Sequence, residues 1–284
     1  MSRIRCCCCC CFVVAMLVYW SPASMQLPLS NDDCAEIRQR WDRAEATLKD
    51  WPNLGRYREA NRQLSAPARD ERRVVFLGDS ITDRWDDPGS GGFFPGKPYL
   101  NRGISEQTTA QMLIRFHADV AELEAKVVVI QAGTNDIAGN NWTTTLEAWE
   151  TAFARTRAIE NNLATMWEIA EEHGIRVIIA SILPVSDYEI NRAGEPIKQT
   201  TRRPPEQIIK LNAWIKYNAP KHGHLYLDYF SAVVDEKGFL KGELSDDGLH
   251  VNAKGYAVMG PLAEQAIRLA LKDVTVAERR RLTR

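Results

Sequence analysis

The stretch RVVFLGDSITD, residues 73–83, constrains the fold of this chain more than any other. Four consecutive apolar residues run from Val74 to Leu77, and Gly78-Asp79-Ser80 follows at once. Such an unbroken run is typical of a strand buried on both faces of a parallel sheet, and these sheets place their chemistry at the carboxyl ends of their strands. Because glycine permits a sharp turn into the next helix, the pattern predicts that Ser80 is a nucleophile at that edge. Gly-Asp-Ser is also an ordinary turn sequence, so this prediction requires catalytic partners elsewhere in the chain.

The rest of the chain alternates between strand-like and helix-like patterns. Further strands are predicted over residues 100–103, 126–131, 175–181 and 225–229. Residues with helical periodicity separate them, which favours an α/β fold with a parallel sheet and helices on both faces. The strand ends are then expected to meet at one edge of the sheet.

The first residues have the pattern of an export signal. Basic Arg3 and Arg5 precede an apolar, cysteine-rich run that ends in small residues, which predicts a signal peptide over residues 1–23 and a periplasmic or extracellular protein. A retained membrane anchor or a cysteine-rich metal tract are the alternatives, but fifteen residues of helix span only about 22 Å, short of the roughly 30 Å hydrocarbon core. Six of the seven cysteines lie here, which leaves Cys34 and no internal disulfide after cleavage.

Three more segments follow the predicted signal. Residues 24–70 are interpreted as a helical arm in which Trp41 and Trp51 pack, residues 71–273 as the main domain, and residues 274–284 as a basic tail. The formal net charge of -1 does not suggest a nucleic acid or an anionic membrane surface as partner. A small-molecule ester is the expected partner, and the oligomeric state stays open.

His250 is the candidate general base among five histidines. It alone follows the fifth predicted strand, at the edge where Ser80 is expected. Asp247 stands three residues earlier, close enough for its carboxylate to hold one imidazole nitrogen while the other reaches the serine.

Two further residues are candidates for an oxyanion hole, which acyl transfer by a serine requires. Gly103 and Asn135 follow two predicted strands and supply a peptide N–H and a side-chain amide, beside the N–H of Ser80. Each also has an ordinary interpretation, as a turn glycine or an Asx turn.

Four blocks, FLGDSITD, NRGIS, AGTND and DGLH, resemble in their order those of the SGNH or GDSL hydrolase family, over nearly all of residues 73–271. The resemblance implies a flavodoxin-like, three-layer α/β/α fold with five parallel strands, and neither a metal nor another cofactor. It also implies a nucleophile, an oxyanion hole and a triad, whose residues here are Ser80, Gly103, Asn135, Asp247 and His250.

The expected function is that of an exported serine esterase that acts through an acyl-enzyme. A near-neutral charge and the lack of a long apolar lid favour short acyl groups such as acetyl on a carbohydrate. Trp85, Trp142 and Arg203 are candidate sugar contacts, although each is also interpretable as a packing or surface residue.

Other classes stay open at this point. A lysophospholipase or thioesterase, or an acyltransferase, would use the same serine, and a carbohydrate-binding protein would keep the fold without turnover. A metal-dependent phosphoesterase would instead use as ligands Asp79, Asp83, Asp136, Asp247 and His250.

Overall fold

The computed structural model describes residues 31–68, 70–138, 146–190, 194 and 196–282. The predicted signal peptide and Trp142 lie outside these residues. The chain divides into two compact units, Met1–Ala46 and Thr47–Arg284.

The N-terminal segment is helical, as predicted for the arm. It contains helices α1 (Asn31–Lys49) and α2 (Arg58–Gln63). The side chain of Trp51 is 44% exposed, so the packing role predicted for it is wrong. The side chain of Trp41 is 71% exposed. Helical spacing predicts an apolar stripe but does not show whether that stripe is buried.

Five parallel strands form the sheet in the part of the chain that the structure describes, in the order β2-β1-β3-β4-β5. Their bounds are β1 (Val74–Gly78), β2 (Tyr99–Gly103), β3 (Val127–Gln131), β4 (Arg176–Ala180) and β5 (Leu225–Leu227). The predicted five-stranded parallel sheet is confirmed. β5 is shorter than predicted because the N–H of Tyr229 donates to the carbonyl of Leu227, which turns the chain out of the sheet.

Helices cover both faces of this sheet. The main domain contains α3 (Ser80–Asp83), α4 (Thr109–Phe116), α5 (Thr134–Ala138), α6 (Leu146–Glu172), α7 (Gln199–Arg202), α8 (Pro205–Asn218), α9 (Phe230–Val233) and α10 (Ala253–Leu282). Alternate residues of β1 enter different cores: Val75 packs with residues of α4, α6 and α8, whereas Val74 packs with residues of α10. This period of two is how a strand buried on both faces produces three layers, and it confirms the predicted α/β/α architecture.

The last helix extends beyond the main domain predicted from the sequence. α10 continues to Leu282, through most of the segment 274–284 that was interpreted as a separate basic tail. Alanine, glutamate, arginine and leucine are good helix formers, and neither glycine nor proline follows Pro261 to stop the helix.

A buried arginine fixes the end of β1. Arg115 of α4 is fully buried and its Nη1 lies 3.1 Å from Oδ2 of Asp119, which balances its charge. Its Nη2 donates to the carbonyl of Gly78 at 3.0 Å, and its Nε donates to Oε1 of Gln107 in the loop after β2. Arg115 therefore joins β1 to that loop beneath the edge of the sheet.

β2 ends in direct contact with α3. A Cβ at Gly103 would lie 2.1 Å from the backbone nitrogen of Asp83, closer than any real Cβ contact. Only a glycine therefore lets α3, which begins with Ser80, lie this close to the strand.

We predict that Gly103→Ala displaces α3 from β2 and lowers the free energy of unfolding by about 1–3 kcal/mol, because backbone atoms must move to admit the methyl group. Urea denaturation measures the change. Gly242→Ala is the control, since its new Cβ would meet Cδ2 of Tyr188 at an ordinary 3.9 Å. Equal stability of the two variants would contradict the prediction.

Candidate active site

Ser80 is the first residue of α3, directly beyond the carboxyl end of β1. Asp79 caps this helix, since its Oδ1 accepts from the N–H of Ile81 at 3.0 Å. A Cβ at Gly78 would lie 2.0 Å from Oγ1 of Thr82, so this turn also requires a glycine. The motif thus places the serine hydroxyl at the edge of the sheet, as its sequence predicts.

His250 lies within hydrogen-bond distance of the serine, although 170 positions separate them in the chain. Its Nε2 is 2.8 Å from Oγ of Ser80, and its Nδ1 is 2.6 Å from Oδ2 of Asp247. The structure therefore brings the three residues together in one hydrogen-bonded line.

The turn that contains Asp247 and His250 is stabilised by the same aspartate. Its Oδ1 accepts from the backbone N–H groups of Leu249 at 2.9 Å and His250 at 2.7 Å. Gly248 has a φ of 74°, and a Cβ there would lie 2.2 Å from the carbonyl oxygen of Ser186. One carboxylate oxygen therefore shapes the turn and the other orients the imidazole, which explains the spacing of three residues.

The carboxylate of Asp247 is held in its ionised form. Its burial alone would raise the pKa, but the hydrogen bonds from the side chain and backbone of His250 and from Leu249 outweigh burial and hold the pKa well below its usual range. The group stays negative across neutral and mildly acidic pH.

Asp79 has the opposite electrostatic environment one residue before the serine. Burial raises its pKa to about 6, and the hydrogen bond from the N–H of Ile81 only partly offsets that effect. The pKa values of the two aspartates therefore differ widely, because Asp247 accepts several hydrogen bonds and Asp79 is almost completely desolvated.

Asn135 lies near the start of α5, at the carboxyl end of β3. Its Nδ2 donates to the carbonyl of Gln107 at 3.0 Å, and its Oδ1 accepts from Nη2 of Arg203 at 3.4 Å. An amide nitrogen carries two hydrogens, so a second N–H remains for another acceptor.

The N–H of Gly103, predicted as an oxyanion donor, has a different partner. It donates at 2.8 Å to Oδ1 of Asn101, whose Nδ2 donates to the carbonyl of Thr82 at 2.7 Å. The predicted donor role of Gly103 is therefore wrong in this structure, because a neighbouring side chain occupies its N–H. Gly103 instead allows α3 to lie close to β2.

Glu106 is a residue that the sequence patterns missed. The N–H groups of Ile104, Ser105 and Gln107 donate to Gly78, Asp83 and Ile104, respectively. The N–H of Glu106 has no such partner among the residues that the structure places. Its φ is 68°, in the left-handed region that favours glycine, and side chains held there often mark functional loops. A glutamate gives no sequence signal for this conformation.

The predicted sugar contacts are not confirmed. Trp85 is only 3% exposed and stacks on Tyr256 at a centroid distance of 4.8 Å, so the structure makes it a core residue instead of a sugar platform. Arg203 is also 3% exposed, beneath Asn135 instead of at the surface. Trp142 lies outside the described residues.

The carboxylates considered as metal ligands bind protein groups instead. Asp83 accepts from Ser105, and Asp136 accepts from Thr109. Within the described ranges, no group of three histidines, cysteines or acidic residues is arranged to hold a metal ion. No helix in those same ranges is long and apolar enough to cross a membrane.

Known proteins share both sequence and fold with this chain. Residues 76–258 match the GDSL-like lipase/acylhydrolase family. A protein from Bacteroides fragilis assigned as an acylhydrolase is 34% identical, with a TM-score of 0.66 over 78% of this chain and 99% of that one. A GDSL-like lipase from Bacteroides thetaiotaomicron is 34% identical, with a TM-score of 0.64 over 77% and 98%.

A more distant structure shares only the fold. A catalytic mutant of an acetylxylan esterase from Geobacillus stearothermophilus is 20% identical, with a TM-score of 0.52 over 72% of this chain and 96% of that one. No curated protein sequence matches the chain significantly.

The raised pKa of Asp79 predicts a pH-dependent stability. Between about pH 4 and 6 the folded state keeps a proton that the unfolded state has released, so the wild type loses stability as pH rises through this window. Asp79→Asn keeps an oxygen for the cap but does not titrate. Its stability relative to wild type should therefore rise by roughly 2 kcal/mol from pH 4 to 7 in urea denaturation.

Asp228→Asn is the control for this measurement, because Asp228 also precedes a short helix and accepts from the N–H and hydroxyl of Ser231 near the surface. The same pH trend in both variants, or no trend in Asp79→Asn, would contradict the assigned desolvation of Asp79.

Proposed function

Because the chain belongs to the GDSL-like lipase/acylhydrolase family, and is therefore a serine hydrolase of carboxylic esters, we propose that Ser80, His250 and Asp247 form its catalytic triad. We also propose that it removes short acyl groups, above all acetyl, from a carbohydrate. The observation that carries the catalytic proposal is the hydrogen-bonded line from Oγ of Ser80 through His250 to Asp247, at 2.8 and 2.6 Å.

The first half-reaction acylates the serine. Oγ of Ser80 attacks the ester carbonyl as Nε2 of His250 takes the hydroxyl proton, and Asp247 stabilises the imidazolium through Nδ1–H. The tetrahedral intermediate collapses, the bond from carbonyl carbon to alcohol oxygen breaks, and His250 returns the proton to the departing alcohol. The acyl group is then esterified to Ser80.

The second half-reaction releases the acid. A water molecule gives a proton to Nε2 of His250 and attacks the acyl carbon, after which the bond to Oγ breaks and the proton returns to Ser80. Asp247 remains ionised throughout, in keeping with the low pKa that its hydrogen bonds impose.

Three N–H groups are proposed for the oxyanion hole. The N–H of Ser80 lies at the start of α3, where helix geometry provides no partner. Asn135 supplies the second amide hydrogen of Nδ2, and Glu106 supplies the backbone N–H that has no partner among the described residues. The link between these two is the carbonyl of Gln107, adjacent to Glu106, which accepts from Asn135.

A polar rim supports a hydrophilic alcohol as leaving group. Arg84, about half exposed, lies 4.0 Å from the carboxylate of Asp247, and Asp83 holds the hydroxyl of Ser105 at 2.7 Å. Arg56 pairs with the same Asp83 at 3.8 Å. Charged groups in water favour a hydroxyl-rich alcohol over a lipid tail, because covering them with hydrocarbon would leave them unsolvated.

Two further parts of the proposal rest on sequence. Export is supported by the basic and apolar pattern of residues 1–23, and an acetyl-carbohydrate substrate agrees with the near-neutral charge. A lipolytic acylhydrolase or an acyltransferase would use the same serine, and the substrate comparison below separates the first of these from the esterase proposed.

We predict that Ser80→Ala folds with wild-type stability but loses hydrolysis of 4-nitrophenyl acetate by about 10⁴-fold or more, because no hydroxyl remains to accept the acyl group. A serine-directed phosphonate should add its mass to the wild type and not to this variant. Ser231→Ala, at an exposed position in the first turn of α9, is the control for substitution of a serine.

Wild-type turnover in Ser80→Ala would remove this serine from the mechanism. Inactivation of the wild type by a chelator, with no labelling by the phosphonate, would support the metal-dependent phosphoesterase instead.

The chain-length preference tests the substrate. We predict that kcat/KM for acetyl esters exceeds that for decanoyl esters of the same alcohol by at least about tenfold, since the groups around the triad are polar. Matched 4-nitrophenyl esters measure the acyl preference. Acetate release from acetylated xylo-oligosaccharides, compared with release from the acetyl ester of a long-chain alcohol, tests the alcohol. A preference for decanoyl esters would favour the lipolytic alternative.

A further inference from the structure

Arg203 is a buried cation next to the proposed oxyanion hole. It follows α7, in the long connection between β4 and α8, and its side chain is almost completely buried. In the part of the chain that the structure describes, no carboxylate lies within 4.0 Å of its guanidinium. Asp79 and Asp247 lie near enough to favour its positive charge, but neither pairs with it directly. Burying an arginine without a direct ion pair is costly, so its position calls for a function other than an ion pair.

The contacts of Arg203 are neutral oxygen atoms. Its Nε donates to Oγ1 of Thr134 at 3.1 Å, and its Nη1 donates to Oε1 of Gln199 at 2.9 Å. Its Nη2 lies 3.4 Å from Oδ1 of Asn135. The contacts of Nε and Nη1 hold the guanidinium plane in place, so that Nη2 faces Asn135.

The two neighbours of Asn135 determine which way its amide points. A carboxamide turned by 180° exchanges its oxygen and its nitrogen, which have nearly the same shape. Guanidinium groups only donate and backbone carbonyls only accept. Arg203 therefore selects Oδ1 on its side, and the carbonyl of Gln107 selects Nδ2 on the other. In the exchanged orientation, a donor would face a donor and an acceptor would face an acceptor.

The same arginine connects the asparagine to the turn of the catalytic acid. Gln199 accepts from Arg203 through Oε1 and donates through Nε2 to the carbonyl of Asp247 at 3.1 Å. The connection between β4 and α8 thus joins the oxyanion side of the site to the acid side. Burial, with nearby Arg202, lowers the pKa of Arg203 to about 10, so the group remains a cation at neutral pH.

We propose that Arg203 is a positioning residue that fixes the Asn135 carboxamide with Nδ2 toward the reacting carbonyl. The inference rests on the proposed function of Ser80 and Asn135. It replaces the sugar contact predicted from sequence, since a side chain 3% exposed has almost no surface for substrate.

A double-mutant cycle between Arg203 and Asn135 tests the proposal, with 4-nitrophenyl acetate as substrate. Arg203→Met should lower kcat by about 10- to 100-fold and change KM less than threefold, because the lost interaction acts in the transition state. Asn135→Ala should lower kcat by about 10²-fold or more. In the Asn135→Ala background, Arg203→Met should have less than a twofold effect, because its target is gone.

Arg203→Lys separates charge from geometry. Lysine keeps the positive charge but cannot make the three directed contacts, so it should restore only part of kcat. Thermal melting shows whether each variant folds. If Arg203→Met does not fold, Thr134→Val provides the test, since it removes one contact of the guanidinium and keeps both Arg203 and Asn135. As a single substitution, Thr134→Val should lower kcat. Added to Asn135→Ala, it should leave kcat unchanged.

Three results would overturn the inference. The first is a raised KM at unchanged kcat in Arg203→Met, which indicates substrate contact. The second is an equal loss of kcat from Arg203→Met with and without Asn135. The third is wild-type kcat in folded Arg203→Met. Ser80→Ala is assayed in parallel: if it loses hydrolysis while Arg203→Met keeps it, only this inference fails. If Ser80→Ala keeps hydrolysis, the proposed function fails and this inference with it.

Discussion

The register of β1 between β2 and β3 is the constraint on which the site depends. Gly78 pairs with Gly103 on one side and Gln131 on the other, so three strands end at the same level. The segments after these strands therefore start from one edge, where Ser80, the loop of Glu106 and Asn135 come together. Absence of side chains at Gly78 and Gly103 then lets α3 lie against both strands, since a Cβ at either would lie about 2 Å from an atom of α3.

Beneath this edge, two buried arginines supply donors where strands and loops present oxygen atoms. Arg115 holds the carbonyl of Gly78 and the side chain of Gln107, and the carbonyl of Gln107 holds Asn135 from one side. Arg203 holds Asn135 from the other side. Only Arg115 has a carboxylate partner, Asp119, at 3.1 Å. Buried hydrogen-bond networks restrict the positions of their members, which is the property that preorganised catalysis requires.

Hydrogen bonding and solvation also give the two aspartates of the site different pKa values. Asp247 receives donors at both oxygens and remains charged, which suits a group that stabilises an imidazolium. Asp79 has one backbone donor in a desolvated position, and its pKa of about 6 makes its charge a cost to folding. The same residue type thus keeps its charge in one place, where we propose a catalytic role, and caps a helix in the other, and donor count with burial explains the difference.

The sequence by itself determined the sheet, its helical layers, the serine corner and the Asp247-His250 pair, because these depend on short-range periodicity, on glycine at tight turns and on a spacing of three residues. Only the tertiary structure decided that Asn101 occupies the N–H of Gly103, that Glu106 leaves an N–H without a partner, that Trp85 is core and that Arg203 supports Asn135. A hydrogen-bond partner is chosen by distance and direction among groups far apart in the chain, and a sequence pattern contains neither quantity.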